Sequence, residues 1–434
     1  MGTLAAAGSS YANEGQDAEV DSYGPPAVEV ATVEPAPLAI PQPLNLAANS
    51  AVATHPFVDV AEAEATALGS DLRGARWLYY PSLSVEALAA TRGSSFADQD
   101  GLTLNAAIEQ PLWSGGRIDG QVDRARASLR AGQQRVGEAQ TDIVLQVVQA
   151  YYDFVLADQR QSVLEASLAE HRELLDAIGR RVAQEVSPRA DLTLGQSRTA
   201  QVELDLALAG EARDSALVRL SELTGGLEVE PVMPPVSTVD ILPPENLALA
   251  EALGCSPSLA ALSQLVAVAE ADRDIAEAQL WPQVLLQLSQ NEITGARAAI
   301  VLRSQFGNGL SQLAAIDSAD ARIQRAFAEF GNEERMLREQ LRRDYVLVRA
   351  ARARIESAVF AADAAAEIIA SYRRQFIAGR RSWLDVMNAT REATNARLSE
   401  SEARVNAVAG AARILSLTCR WDPEGNITPA ERTQ

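Results

Sequence analysis

Pro56 and Pro81 are separated by the same interval as Pro257 and Pro282, and each pair is followed by the same succession of hydrophobic periods. A repeat on this scale means that one supersecondary unit is built twice, each copy leaning on the other to close a core. In both copies an alternating stretch leads to a polar break, a second alternating stretch, a glycine-rich switch and a very long helical seam. Any fold for this chain has to house two amphipathic strands and one helix of unusual length per copy.

The first copy opens with an Ala-rich acidic run, Pro56 to about Arg76, which reads as a helix, and Trp77 to Ala90 then alternates. Leu83, Val85 and Ala87 would share one strand face, with Ser82, Ser84 and Glu86 on the other. Thr91 to Gly101 reads as a polar loop. In the next strand, Leu102 to Leu112, the residues Leu102, Leu104, Ala106 and Ile108 oppose Thr103, Asn105, Ala107 and Glu109. Pro111, Gly115 and Gly116 end it, because proline lacks a ladder donor and glycine permits a sharp redirection. From Ile118 through Val122, Ala125, Leu129, Gly132, Val136, Ala139 and Ile143 the apolar residues recur at steps of four and three, a coiled-coil seam. No breaker follows until Val186-Ser187-Pro188, so this helix runs for about 70 residues, on the order of 100 Å. A return helix is expected from Asp191 to Leu223, ending at Thr224-Gly225-Gly226.

The second copy alternates over Trp281 to Asn291 and Ala296 to Phe306. Phe306-Gly307-Asn308-Gly309 stands where Trp113-Ser114-Gly115-Gly116 stands in the first, so Gly307 and Gly309 are the twin strand-to-helix switch. Another long helix is expected from about Leu310 to Phe376, a turn at Ile377-Ala378-Gly379-Arg380, and a return helix from Trp383 to Leu417. The domain plan is an N-terminal segment 1–50, a first repeat 51–225, a Pro-rich connector 226–254, a second repeat 255–421 and a tail 422–434. Residues 1–50 hold six prolines and six acids without a base, and read as disordered, being too poor in apolar surface to offset ordering entropy.

Composition narrows the functions. The net charge of -20 argues against a nucleic-acid partner, which needs a basic face. All 38 basic residues are arginine, a trait of base composition more than of function. No nucleophile elbow, phosphate loop or zinc spacing is present, so neither catalysis nor a cofactor is predicted. His55 and His171 are isolated and read as surface residues; Tyr151, Tyr152 and Phe154 read as interhelical core. No apolar run reaches the roughly 20 residues of a membrane-spanning helix. Met1 to Ala12 lack the basic start and apolar core of a secretion signal.

The strands, however, have the length and alternation of transmembrane β-strands. In lipid every backbone donor and acceptor needs a partner, so such strands cannot keep open edges there, and four are too few to close a barrel. If they enter a membrane, several chains share one barrel. The alternative is a periplasmic or cytoplasmic coiled-coil scaffold without channel activity, whose alternating stretches are connectors.

The chain resembles the TolC family of outer-membrane efflux and secretion channels over roughly Ala51 to Trp421. The marks are Gln110-Pro111-Leu112-Trp113-Ser114-Gly115-Gly116-Arg117, then Gln149-Ala150-Tyr151-Tyr152-Asp153, and Gly379-Arg380-Arg381-Ser382-Trp383-Leu384-Asp385-Val386-Met387-Asn388-Ala389. The last looks most like members serving type I secretion. The resemblance implies a mainly α fold with membrane β: a long antiparallel coiled-coil α-barrel continuing a shared transmembrane β-barrel, with two structural repeats per chain. It implies a homotrimer in the outer membrane, spanning into the periplasm. Its partners would be a periplasmic adaptor protein and an inner-membrane ABC or proton-driven transporter, and it would act as the passive exit duct of a tripartite system.

By the same resemblance the helical turns form the periplasmic tip, where Val186, Ser187, Pro188, Arg189, Ala378, Gly379, Arg380 and Ser382 would face the adaptor. Asp191 and Arg381 match a gate-holding pair, and Phe376 stands at a gate position held elsewhere in the family by tyrosine. Asp385 matches an acidic constriction ring whose second position is here Asn388. Three carboxylates instead of six would weaken cation selectivity. If the last helix stacks end to end on the one after Pro257, Cys255 and Cys419 approach each other, and the periplasm would oxidise them.

Overall fold

A computed structural model describes residues 39–90, 101–291, 295–304 and 311–423. Two copies of one unit follow each other. The first is α1 (Gln42–Thr54), α2 (Pro56–Trp77), β1 (Ser82–Ala90), β2 (Gly101–Trp113), α3 (Arg117–Ala183) and α4 (Arg189–Leu223). The second is α5 (Glu245–Cys255), α6 (Pro257–Ala278), β3 (Gln283–Asn291), β4 (Gly295–Arg303), α7 (Ser311–Ile377) and α8 (Trp383–Leu417). The twins match in length: α3 and α7 have 67 residues each, α4 and α8 have 35, α2 and α6 have 22.

Each repeat begins earlier than its sequence suggested. The boundary expected at residue 50 falls inside α1, whose Leu44, Ala47, Ala48 and Ala51 are fully buried. Proline misled there: Pro41 and Pro43 frame the first turn, where a missing N–H costs nothing. The rest of the expected disordered segment, residues 1–38, lies outside the described residues. Likewise the connector 226–254 contains α5, the twin of α1, and only Leu227 to Pro244, with a short 3-10 turn at Val236–Ile241, is free of α-helix. The Thr91 loop up to Asp100, Phe306, Gly307 and Gly309, and the tail beyond residue 423 lie outside the described residues.

The four strands form one antiparallel sheet in sequence order, β1-β2-β3-β4. Leu83 pairs with Ile108, Val85 with Ala106, Ile108 with Leu288, and Ile300 with Leu286, which gathers the aliphatic residues on one face. Leu83, Val85, Leu102, Leu104, Ile300 and Leu302 all stand exposed there. The other face is polar: Glu109 accepts hydrogen bonds from Gln287 Nε2 at 3.1 Å and from Arg303 at 3.4 Å. The first strand is shorter than expected, because Trp77 closes α2 and Leu78 to Tyr80 form its C-terminal turn.

Away from the sheet, the core gathers where the short helices meet the long ones. Leu44, Val147, Val148, Tyr151, Leu220, Leu341, Val405 and Ile414 are among its buried residues. Two twin tyrosines fix the connector to it. Tyr151 Oη donates to the Val232 carbonyl (2.8 Å) and accepts from the Val232 N–H (2.7 Å); Tyr345 Oη donates to the Pro243 carbonyl (2.6 Å). Among the described residues no single helix is long and apolar enough to cross a membrane.

Candidate functional site

Three parts of the molecule can carry a function: the amphipathic sheet, the switch from sheet to helix, and the turns at the far ends of the helical hairpins. The sheet presents its aliphatic face to the outside of the protomer, and among the described residues β1 and β4 each leave one edge without a partner strand. At the end of the sheet nearest the helices, Trp77, Tyr79, Tyr80, Trp113 and Trp281 are exposed, and Trp77 packs at a tilt against Tyr80 with centroids 5.1 Å apart. An aliphatic band bordered by amphipathic rings is the surface a protein shows to a bilayer and its interface.

The switch is built by residues that few side chains could replace. Pro111 and Trp113 flank a register shift in the β2–β3 pairing. Gly115 and Gly116 both adopt left-handed backbone angles, φ 64° and 90°. At Gly115 a Cβ would also lie 2.7 Å from Trp281 Cβ, so glycine is required for space as well as for φ. Ser114, itself buried, then caps α3 by accepting from the Ile118 N–H at 3.2 Å.

The tips repeat each other in geometry and differ in chemistry. α3 ends through Val186 N–H to the Arg181 carbonyl (2.9 Å), with Glu185 at φ 58°; α7 ends through Arg380 N–H to the Gln375 carbonyl (2.8 Å), with Gly379 at φ 69°. Both are left-handed C-caps. Beneath them Leu174, Ile178, Phe376, Trp383, Val386 and Met387 form a small core of their own. Trp383 Nε1 donates to the Leu174 carbonyl across the hairpins, and Gly195 leaves room for its ring. The exposed residues of the two turns include Val186, Pro188, Arg189, Ala378, Gly379 and Arg380; Ser187 accepts from Arg181 Nε at 3.3 Å.

Arg381 is engaged inside its own protomer. Its guanidinium lies 4.1 Å from the centroid of Tyr372 and 3.6 Å from Asp385 Oδ2, and Nε donates to Gln375 Oε1 at 3.3 Å. Asp191, in the first turn of α4, makes no ion pair among the described residues of the chain. The structure therefore does not bring Asp191 and Arg381 together within one copy. Phe376 is buried in the tip core with Arg181 stacked on its ring at 5.2 Å. The aromatic ring that Arg381 meets is Tyr372, one turn earlier. Tyr372 escaped the sequence reading because an aromatic at heptad spacing looks like core. A second pair, Arg373 to Glu173 at 3.3 Å, joins α7 to α3 just behind it.

Asp385 and Asn388 sit one turn apart on α8 with their side chains accessible. Ser382 caps the helix by accepting from the Asp385 N–H (3.1 Å), and its hydrogen bond to the Asp385 carboxylate, aided by Arg381, holds that carboxyl below the usual range. Asp385 thus serves its helix start and stays ionised over a wide pH range. His171 departs from expectation: it is buried on α3, where Nδ1 is 2.8 Å from the Ser167 carbonyl, and it borders a cavity of about 140 Å³ shared with Asn388 and Thr394. Cys255 and Cys419 are joined as a disulfide with Cα atoms 6.5 Å apart.

The sequence pattern of the family described as outer membrane efflux protein matches residues 47–226, essentially the first repeat. The alkaline protease secretion protein AprF of Pseudomonas aeruginosa is 23% identical over 338 residues, covering 73% of this chain and 69% of that protein. Protein CyaE of Bordetella pertussis is 27% identical over 308 residues, covering 66% of this chain and 64% of that protein, so these alignments span about two thirds of each relative. The outer membrane protein VceC of Vibrio cholerae shares the fold, with a TM-score of 0.75 at 19% identity, over 86% of this chain and 95% of that one.

Proposed function

Because this chain is an outer-membrane channel protein of the TolC family, we propose that three copies assemble into one duct that is the passive exit of a tripartite efflux or secretion system. The observation that carries the proposal is the pair of open edges on β1 and β4 of a sheet whose outer face is aliphatic. A four-stranded sheet with two unpaired edges is untenable in lipid, whereas β4 of one copy adding to β1 of the next leaves no edge once three copies close. The 67-residue helices then carry the wall about 100 Å into the periplasm.

The duct holds no energy source, so an inner-membrane transporter, reached through an adaptor, drives export. Val186, Ser187, Pro188 and Arg189 on one turn, with Ala378, Gly379, Arg380 and Ser382 on the other, are the surface offered to that adaptor. Arg381 is the gate cation, resting on Tyr372 and Asp385 in its own copy, and Asp191 is presented to it from the neighbouring copy. Asp385 and Asn388 line the constriction. One relative is named for secretion of an alkaline protease, which favours a polypeptide cargo over a small drug.

The test is membrane fractionation followed by planar bilayers. The protein should stay in the membrane pellet at alkaline pH, migrate as a trimer when unheated, and insert to give discrete conductance steps. A soluble, monomeric, non-conducting protein would overturn the reading in favour of a scaffold.

A further inference from the structure

The repeat creates two joints of the same design, each where a return helix ends against the kink between two short helices. At the first, α4 ends on the α1–α2 kink; at the second, α8 ends on the α5–α6 kink. Their principal hydrogen bonds correspond. Thr224 Oγ1 donates to the Leu220 carbonyl (2.9 Å) as Thr418 Oγ1 does to that of Ile414 (2.8 Å). The Gly226 N–H reaches the Ser221 carbonyl (2.8 Å) as the Arg420 N–H reaches that of Leu415 (3.0 Å). The left-handed residues are Gly225 (φ 66°) and Gly226 (φ 86°) in one and Cys419 (φ 53°) in the other, with Cys419 at the place of Gly225.

A left-handed C-cap ordinarily takes glycine, because any Cβ is crowded there. Cysteine in that place calls for a reason, and the reason is its bond to Cys255. Arg420 adds a two-pronged ion pair to Glu251, both contacts at 2.7 Å. The first joint has no such closure. Thr54 stands where Cys255 stands, and among the described residues the polar tie across is a hydrogen bond from Ser50 Oγ to the Thr224 carbonyl at 2.9 Å, with Thr54 lying beside Gly225. A Cβ placed on Gly225 would lie 3.5 Å from Thr54 Cβ, within the range that disulfides span.

We propose that the two joints are mechanically unequal: the α8 joint is a covalently fixed anchor, and the α4 joint is the compliant point at the base of the hairpins. Packing within the protomer agrees. The last turns of α8 are buried nearly all round, from Val405 and Ala407 to Leu417, whereas the last turns of α4 bury only Ala216, Leu220 and Leu223. Closing the second joint requires each thiol to lose a proton and the pair to lose two electrons, which a disulfide oxidant of the periplasm accepts as it becomes a dithiol. With two cysteines in the chain only one pairing exists, so no isomerisation step is needed.

Amide exchange on the purified full-length protein, oxidised and reduced, tests this without reference to transport. In the oxidised protein residues 224–226 should exchange about tenfold faster than 418–421, and reduction, or Cys255→Ser with Cys419→Ser, should speed exchange at the second joint several-fold and narrow that gap. Equal protection of the two joints in the oxidised protein would overturn the proposal. The variant Thr54→Cys with Gly225→Cys, read by non-reducing mass, should oxidise without added catalyst and slow exchange at 224–226; a folded variant that keeps both new thiols free would overturn the twin geometry.

Discussion

Asp344 on α7 and Arg413 on α8 form a buried ion pair, Nε to Oδ1 2.8 Å, in which the carboxylate side chain is 7% exposed. Burial pushes the Asp344 carboxyl up from its ordinary range, and Arg413 pulls it back. Removing the arginine alone would leave an uncompensated charge in the core. Arg413→Met should cost about 3–5 kcal/mol, and adding Asp344→Asn should recover most of it. The temperature at which the unheated oligomer dissociates, compared across the single and double variants, checks this; equal losses in both would refute it.

A second group of acids should contribute a pH dependence to stability. Glu138 and Asp142 on α3 face Glu333 on α7 around a cavity of about 130 Å³ beside Ser256 and Ser258. Burial, and then repulsion from neighbouring carboxylates, raises both Glu138 and Asp142 above the ordinary carboxylate range, with Arg135 opposing at Glu138. The folded protein therefore binds these protons more tightly than the unfolded chain does. Stability should rise as pH falls from neutral through the raised values, and be lost again as pH rises through them. In Glu138→Gln with Asp142→Asn the slope of melting temperature against pH should flatten. An unchanged slope would place the response elsewhere.

Arg381 leans on Tyr372 and Asp385 with contacts that are individually weak. A cation over an aromatic face near the surface is worth roughly 0.5–1 kcal/mol and an accessible ion pair about 0–1 kcal/mol. If Arg381 is the gate cation proposed above, contacts this weak would yield readily to a partner. Arg381→Ala should raise single-channel conductance, Tyr372→Leu should raise it less, and Tyr372→Phe should leave it near wild type because the ring is kept.

Glu185 occupies the left-handed position that Gly379 fills in the twin turn. A side chain there costs about 1 kcal/mol relative to glycine. Glu185→Gly should slow amide exchange of residues 184–187 by a few fold, and Gly379→Ala should quicken it over 377–381. If both substitutions were neutral, the turns would differ in backbone from what is described.

Much of this architecture is written in hydrophobic period. The strands, the two long helices and the return helix Trp383–Leu417 follow from alternation, heptad spacing and breakers such as Pro188. What hides is whatever depends on contacts between distant segments. α1 buries an alanine face that carries little hydrophobic signal beside its prolines. His171 lies in the charged run Glu170-His171-Arg172-Glu173, yet its turn of the helix faces the α3–α8 seam. At the tip, resemblance supplied Arg381 and Asp385 but not Tyr372, because the partner of a guanidinium is a matter of geometry that spacing does not record. Asp191 stands in the first turn of α4 and makes no ion pair among the described residues, so its role does not follow from contacts within one chain.

If three copies close the sheet as proposed, the edges of β1 and β4 also set the genetics of such a protein. A sheet that can close only through neighbours makes every duct as good as its worst subunit. In a cell making equal amounts of normal chain and a chain that inserts but cannot open, only about one duct in eight would consist of normal copies alone, by the arithmetic of a closed three-fold ring. A mutant of that kind would be dominant, whereas one unable to pair its strands would be silently recessive.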